Sequence, residues 1–300
     1  MLYIYSMKTV WILSKKGTEV YENQRLVETF ANSNITADIV NADEFDLIVN
    51  KNNLTDVWRK GQLATLPDAV LVRTGSGSNY FALAVLRQLE SLGVPVINSS
   101  TSITLVKDKL ETMQILAKNS IAIPKTMLVR WPINEKLVDT EIGYPCVVKV
   151  ITGSGGKGVY LCNDNVSFTK LMQLVKNLDT KKTMIIQEYI GHRVGTDIRV
   201  IVVGGKVIGA MQRHSDNDFR ANITNGGHGA SHEVTAEIEY IARETARIMN
   251  LDIAGIDLLF DQDGFKVCEA NSSPGFRGFE QYCPENIAQA MVDYIAFRIS

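Results

Sequence analysis

The chain has few cysteines and no pattern among them. Cys146, Cys162, Cys268 and Cys283 are the only four in 300 residues, and no two have the C-x-x-C spacing of a metal or redox motif. Scattered single thiols in a chain of this size predict a reducing compartment and no disulfide framework. A marked excess of either charge sign is also missing. A formal net charge of −2 gives no support for bulk nucleic-acid binding, and no basic run suits an anionic membrane. No apolar run reaches the roughly 18 residues of a membrane span. The opening MLYIYSMKTVWIL lacks the charged start, long apolar centre and cleavage site of a signal peptide. The expected location is therefore cytoplasmic. Internal repeats and low-complexity tracts are absent. The apolar share of 45% and charged share of 21% match an ordinary globular protein, and 300 residues allow about two domains with a substantial core.

Against this plain background one stretch stands out, LDIAGIDLLFDQDGFKVCEANSSPGFRGF from Leu251 to Phe279. Two apolar runs, Ile253–Phe260 and Phe265–Ala270, flank turn residues and read as a β-hairpin. Asp257 and Glu269 sit where apolar residues belong. Glu269 and Asn271 are two apart and share a face of one strand. With a three-residue loop Gln262-Asp263-Gly264, and Gly264 left-handed, Asp257 falls opposite Glu269. Two facing carboxylates repel and need a partner. Oxygen-only ligands from Asp, Glu and Asn suit a hard cation such as Mg²⁺. The alternative is a solvated hairpin face with unrelated charges. On the metal reading, each of the three is expected to be removable with the fold largely intact.

The first hundred residues alternate strand and helix. Met7–Ser14 is a buried strand, Thr18 caps a helix over Glu19–Ala31, and Ala37–Asn41 is a second strand. Leu47–Leu66 is polar and poorly periodic and carries no firm reading. Ala69–Arg73, a helix over Asn79–Leu92 and a strand Val94–Ile97 follow. That pattern predicts an α/β domain with a mainly parallel sheet. Ligands of such sheets sit at the carboxyl ends of strands. Arg73 and the loop Thr74-Gly75-Ser76-Gly77-Ser78 are therefore candidates for an anionic substrate, against the alternative that Arg73 is an ordinary surface residue.

Thr101–Asn119 reads as one helix carrying Lys107, Asp108 and Lys109. Tyr144–Val150 is an apolar strand interrupted by Lys149, which either snorkels out or meets an anion. The loop from Gly153 to Gly158, with Gly155, Gly156 and Lys157 inside it, then leads to a strand at Val159–Leu161. Backbone amides there can approach phosphates closely. The spacing is not that of a P-loop or a dinucleotide fingerprint, and a hairpin turn is the competing reading. A helix over Ser167–Leu178 and a strand Met184–Ile186 lead to Gln187-Glu188-Tyr189-Ile190. Strands at Ile198–Val203 and Lys206–Met211 flank the two-residue turn Gly204-Gly205. Arg220-Ala221-Asn222 lies in a glycine-rich segment. His228 and His232 read as incidental loop histidines in preference to a zinc site, because three nearby glycines argue against a helix. Glu237–Met249 and a final helix from Pro284 to about Phe297 complete the chain.

The set Lys109, Lys149, Gly153–Gly158, Gln187–Ile190, Asp197, Arg220–Asn222, Asp257, Glu269 and Asn271 resembles the ATP-grasp ligases, and more narrowly the RimK-like α-L-glutamate ligases. The segments GTDIRVIVVGGKVIGAM, DFRAN followed by GG, LDIAGIDLL and EANSSPGFRGFE carry the resemblance, in order, from about residue 107 to 290. SKKG and VRTGSG extend it more loosely to the N-terminal hundred. The resemblance implies an α/β pre-ATP-grasp domain over residues 1–100, then a two-subdomain α+β ATP-grasp fold divided at 101–186 and 187–300. It implies Lys109 and Lys149 on the phosphates of ATP, with the glycine loop, including Gly155, Gly156 and Gly158, over them. Gln187, Glu188, Tyr189 and Ile190 would run along the adenine, and Asp197 would face the sugar. Arg220, Ala221 and Asn222 would lie near the transferred phosphate, with Arg220 the catalytic residue. Asp257, Glu269 and Asn271 would hold Mg²⁺, or Mn²⁺ in its place, with two ions per site. The partners implied are a carboxylate acceptor and an amino acid, glutamate by resemblance, in a homo-oligomer.

The residues fit that chemistry. A carboxylate condenses with an amine once ATP has phosphorylated it, and this needs positioning and charge stabilisation, with no protein nucleophile. The glycine loop is expected to be mobile without ATP and to exclude water when closed. Two alternatives remain at this level: a ligase of the same fold using another amine such as lysine or cysteine, and a non-catalytic nucleotide-binding protein. The loop GSGGKGV departs from several ribosomal-protein-modifying members. Family acceptors include ribosomal protein tails, small cofactors and acyl-amino acids, so the acceptor stays open.

Overall fold

The computed structural model describes residues 7–51, 57–75, 78–150, 158–178, 183–221, 223 and 226–300. Its first sheet is parallel, in the order β2-β1-β6-β7, with β1 at Lys8–Leu13, β2 at Ile35–Val40, β6 at Ala69–Val72 and β7 at Val96–Ile97. Val10, Trp11, Ile12 and Leu13 are all buried, as a strand covered on both faces requires. Helix α1 (Tyr21–Asn32) begins later than Thr18 suggests, and no side chain caps it. Glu19 instead accepts a hydrogen bond from the Gly17 N–H at 2.9 Å, which holds residues 17–19 in a turn ahead of the helix. Helix α2 (Tyr80–Ser91) is capped by Asn79, which accepts from the Ala82 N–H. The segment without a firm reading contributes to a small antiparallel sheet, β3 (Phe45–Leu47), β4 (Val57–Arg59) and β5 (Gln62–Leu63).

The helix expected over Thr101–Asn119 is two helices, α3 (Ser100–Lys107) and α4 (Lys109–Lys118). Asp108 is extended (φ −83°, ψ 105°), and its carboxylate accepts from the Leu110 and Glu111 N–H groups. The residue that breaks the first helix therefore caps the second. The break sends two lysines to different places: Lys107 Nζ bonds the Ser78 carbonyl, while Lys109 Nζ reaches Glu269.

An antiparallel sheet follows in the order β10-β9-β11-β8, from β8 (Thr126–Val129), β9 (Cys146–Val150), β10 (Val159–Cys162) and β11 (Met184–Glu188). Helices α5 (Glu135–Glu141) and α6 (Asn165–Leu178) accompany it. The second antiparallel sheet has the order β14-β13-β12-β15-β16. Its strands are β12 (Thr196–Val203), β13 (Lys206–His214), β14 (His228–His232), β15 (Ile253–Asp261) and β16 (Gly264–Asn271). The segment read as a histidine-bearing loop is thus strand β14. Four residues along a strand span ~13 Å, so His228 and His232 are too far apart to share one ion. Helix α7 (Ala236–Ile248) covers the apolar face formed by Ile198, Val200, Val202, Ala254, Ile256 and Leu258. Helices α8 (Arg277–Tyr282) and α9 (Ile287–Arg298) close the chain. Phe276, Met291, Val292 and Ile295 share one core with Val10 and Ile12 of the first sheet and Leu26 and Phe30 of α1. Among the described residues no helix is long and apolar enough to cross a membrane.

The hairpin differs from its expected form in one respect. The turn has two residues, Gln262 and Asp263, with Asp261 paired to Gly264 and Leu258 to Val267. A β-bulge then inserts Cys268, and the register resumes with Asp257 opposite Glu269. The extra residue that brings the two carboxylates together is at the bulge, not in the turn.

Asn98 ties the first sheet to this hairpin. It donates to the Ile253 and Ser272 carbonyls at 2.7 and 2.6 Å and accepts from the Ile253 N–H at 2.9 Å, fully buried. Asn98→Ala removes all three bonds and leaves buried backbone groups unsatisfied. The expected loss is about 3 kcal/mol of stability, measured as a lower denaturant midpoint; a midpoint equal to wild type would show that the tie carries no weight.

Candidate functional site

A cleft lies where the two antiparallel sheets face each other. Its lining includes Lys109, Lys149, Gln187, Glu188, Tyr189, Ile190, Asp197, Arg220, Ala221, Asp257 and Glu269. Residues read from separate parts of the sequence are thus brought to one cavity. Asn271 is not among the lining residues but shares the face of Glu269, and Gly158 begins the strand turn with φ +75°. Gly155, Gly156 and Asn222 lie outside the described residues, as does most of the glycine loop.

The floor is a lattice of opposite charges built by strand register. Asp197 is the cross-strand partner of Arg213, and Arg199 that of Asp257. Arg213 grips Asp197 with two bonds of 2.7 and 2.6 Å, Arg199 grips Asp257 with two of 2.6 Å, and Arg213 also reaches Asp257 at 3.0 Å. Asp197, Arg213 and Asp257 are all buried. Burial disfavours the Asp257 charge, but Arg199 and Arg213 more than offset this and hold the carboxyl at about 2. Burial likewise opposes the Arg213 charge, and Asp257 and Asp197 keep that guanidinium ionised. The sequence reading identified the two aspartates but missed both arginines. The signal was there in part: Asp197 and Arg199 alternate in an otherwise apolar strand, which points both to one face.

Above this floor the oxygens are more open. Glu269 is 40% exposed at its side chain and accepts from Lys109 Nζ at 2.7 Å. The Asn271 amide donates weakly to the Gly255 carbonyl at 3.4 Å, which turns its nitrogen to the backbone and leaves the side-chain oxygen without a hydrogen bond among the described residues. A hard cation would find oxygens of Glu269 and Asn271 with capacity to spare, next to the Asp257 carboxylate. The donor set fits Mg²⁺.

The other walls are mixed. Lys149 Nζ lies 3.7 Å from Cys268 Sγ, so the bulge residue is also a wall residue. The Gln187 side chain is buried and donates to Thr126 Oγ1 at 2.7 Å. Glu188 accepts from Lys266 Nζ at 2.7 Å and the Lys125 N–H at 2.9 Å. Tyr189 meets Phe219 edge-on at 6.4 Å, and burial raises its phenol. Arg220 is held by Asp218, with Nη2 at 2.5 Å, an arrangement that raises the guanidinium and lowers the carboxyl. Arg193, Phe219, Cys268 and Lys266 escaped the sequence reading. The guanidinium of Arg193 stacks over Phe260 at 4.2 Å from its centroid.

Two antiparallel sheets closing on a cation-lined cleft, behind an N-terminal parallel sheet, define the ATP-grasp fold, and solved structures agree. The ATP-grasp ligase PsnB with a phosphomimetic precursor variant, Mg and ADP superposes with a TM-score of 0.78 at 19% identity, covering 98% of this chain and 99% of that one. A RimK domain ATP-grasp protein from Sphaerobacter thermophilus gives 0.75 at 20% identity, with 95% and 98% covered. The RimK pre-ATP-grasp domain model matches residues 7–103 and the RimK-like ATP-grasp domain model residues 106–295. The chain belongs to the RimK-like ATP-grasp family and is an ATP-dependent ligase. It is similar to proteins named probable alpha-L-glutamate ligase from Maridesulfovibrio salexigens (34% identical) and Vibrio cholerae (35%). Both alignments run over 288 residues, 95% of this chain and 94% of the relative.

The burial of Asp257 argues against one expectation, that removing it leaves the fold largely intact. Asp257→Ala leaves the Arg199 guanidinium without its carboxylate and Arg213 with Asp197 alone, and breaking such a pair costs about 3–5 kcal/mol. Since the folded carboxyl titrates near 2, below the ordinary 3.8, its contribution to stability is complete above about pH 4 and is lost as pH falls through 2. Unfolding midpoints of wild type and Asp257→Ala, measured from pH 7 to pH 2, should differ most at neutral pH and converge in acid. A constant gap would assign the loss to packing instead.

Proposed function

We propose that this ATP-dependent ligase joins a carboxylate to the amine of an amino acid, with L-glutamate as that amino acid and a peptide tail or small acidic molecule as the acceptor. The observation that carries the proposal is the meeting, in one cleft, of the open Glu269 carboxylate with Lys109, Lys149 and Arg220. In this scheme the acceptor carboxylate oxygen attacks the γ-phosphorus of ATP and ADP leaves. The amine then attacks the acyl carbon, expels phosphate and loses a proton. The products are an amide, ADP and inorganic phosphate.

Each residue has a stated part. Lys109 and Lys149 offset phosphate charge, and Arg220 stabilises the negative charge that develops on the transferred group and on the oxyanion. Gln187, Glu188, Tyr189 and Ile190 run along the base, and Asp197 faces the sugar with its orientation set by Arg213. Asp257, Glu269 and Asn271 would hold Mg²⁺, which when bound supplies charge neutralisation at the phosphates. Residues 1–100, 101–186 and 187–300 serve as acceptor domain, first nucleotide wall and metal-bearing wall. The names of the curated relatives support glutamate, and the precursor-bound neighbours support an acceptor with a peptide character.

The test is ADP release over a matrix of carboxylate acceptors and amino acids with Mg²⁺ present. Turnover should require both partners and be greatest with L-glutamate. Release with lysine or cysteine alone would reassign the amine. Glu269→Gln should lower turnover about a hundredfold while leaving the unfolding midpoint near wild type, because Glu269 is open to solvent where Asp257 is not.

A further inference from the structure

Two of the four cysteines meet on a strand pair. Cys146 opens β9 and Cys162 ends β10, and the antiparallel register sets them directly opposite each other. Opposed residues on neighbouring strands send their side chains to the same face. Here that face lies beneath α5 and α6, where both thiols share an apolar core with Val138, Val148, Phe168 and Met172. Cys146 is 0% and Cys162 1% exposed, so the pair is shut away from water in the closed hairpin. Opposed Cα atoms of an antiparallel pair are about 4.5 or 5.5 Å apart, according to whether the pair exchanges backbone hydrogen bonds. Either spacing falls inside the range of about 4.4–6.8 Å that a disulfide spans. The two thiols are also in hydrogen-bond contact, which lowers the Cys162 thiol and raises that of Cys146. Both are nevertheless free, as are Cys268 and Cys283.

The pair sits at the root of a hairpin that bears part of the cleft wall. Side chains alternate along a strand, and Val147, Lys149 and Val159 line the cleft from the opposite face of the same two strands. Among the described residues β10 pairs with β9 alone and forms the edge of its sheet. It is four residues long, and Tyr160 within it is exposed. A short edge strand opens locally at lower cost than the inner strand beside it. Such opening admits a small oxidant to thiols that the closed hairpin covers. The other two cysteines have no thiol neighbour: Cys268 Sγ faces Lys149 Nζ, and Cys283 packs in the core shared with the first sheet.

We propose that Cys146 and Cys162 are a redox-sensitive pair that hydrogen peroxide joins into a disulfide, clamping the root of the β9–β10 hairpin. The Cys162 sulfur, as thiolate, attacks one peroxide oxygen and breaks the O–O bond. The sulfenic acid forms, and the departing hydroxide takes a proton to become water. The Cys146 sulfur then attacks the Cys162 sulfur and gives up its proton to the expelled hydroxyl, which leaves as a second water. Two thiols thus lose two hydrogens and two electrons, and one peroxide becomes two waters. A dithiol reductant reverses the step by exchange and becomes a disulfide itself. In the reducing compartment expected from the sequence such a bond is transient, which suits a redox-sensing pair over a permanent staple. The bond crosses the two strands at the end away from Lys149 and Val159, so oxidation restrains the separation of β10 from β9. It adds a redox response to the ligase that does not depend on which substrates are joined.

The experiment treats the full folded chain with hydrogen peroxide at neutral pH and stops the reaction with catalase. The chain is then unfolded in iodoacetamide, which blocks every remaining thiol, and its tryptic peptides are mapped by mass. Trypsin separates Cys146, in the peptide ending at Lys149, from Cys162, in the peptide ending at Lys170. The expected product is these two peptides joined, two hydrogens lighter than their sum and parted again by dithiothreitol. Hydrogen exchange of the β10 amides should slow at least about tenfold in the oxidised chain, because the cross-link opposes local opening. Cys162→Ala and Cys146→Ala should each give neither the linked peptides nor the slowing. A folded wild-type chain whose two thiols are both still alkylated after peroxide overturns the proposal. So does oxidation of Cys162 to a sulfinic acid without linkage to Cys146. A linked pair that leaves β10 exchange unchanged overturns the clamp.

Discussion

The structure depends on a pair of buried carboxylates, each gripped by an arginine. Asp197 and Asp257 sit on the inner face of a five-stranded sheet whose other face is apolar, and two arginines on the same sheet neutralise them. Neither aspartate would stay charged there alone. Strand register supplies the solution, since each arginine is the direct cross-strand neighbour of the aspartate it grips. The cleft floor is therefore polar and buried, a setting in which charges act more strongly than in water.

Two further features follow from where that floor lies. The bulge at Cys268 shifts the last part of β16 by one residue, so that Glu269 comes opposite Asp257 and Val267 still points into the core beneath α7. A hairpin of regular register would lose one or the other. Asn98 and the segment around Pro274 then fasten the parallel sheet to the same hairpin. On the proposed reading, the domain end assigned to the acceptor is thereby held against the oxygens assigned to the metal, a placement that a ligase of two substrates requires.

Much of this was legible in the chain. Asp257, Glu269 and Asn271 break an apolar hairpin pattern, and Lys149 breaks an apolar strand; such interruptions are visible because burial of a lone charge is costly. The alternation of strand and helix before residue 100 also predicted the parallel sheet. Other features had no local signature. Asp108 splits a helix because its side chain bonds its own backbone, yet Lys-Asp-Lys fits a continuous helix equally well by propensity. The bulge falls on a cysteine, with no glycine to mark it, and so the extra residue was placed in the turn. Arg199 and Arg213 gain their role from register between strands far apart in sequence. Strand β14 directly follows Gly226 and Gly227 and is mostly exposed, and its pairing with β13 gives it order that its composition does not.

The central claim is that the acceptor carboxylate is activated by direct phosphorylation within this cleft. Transfer of isotope tests it most directly. An acceptor carrying ¹⁸O in both carboxylate oxygens would be turned over with ATP, Mg²⁺ and the amino acid, and the released phosphate analysed by mass. The account predicts one ¹⁸O in each phosphate and one retained in the amide. Phosphate free of ¹⁸O, with amide still formed, would contradict it and require a different route of activation.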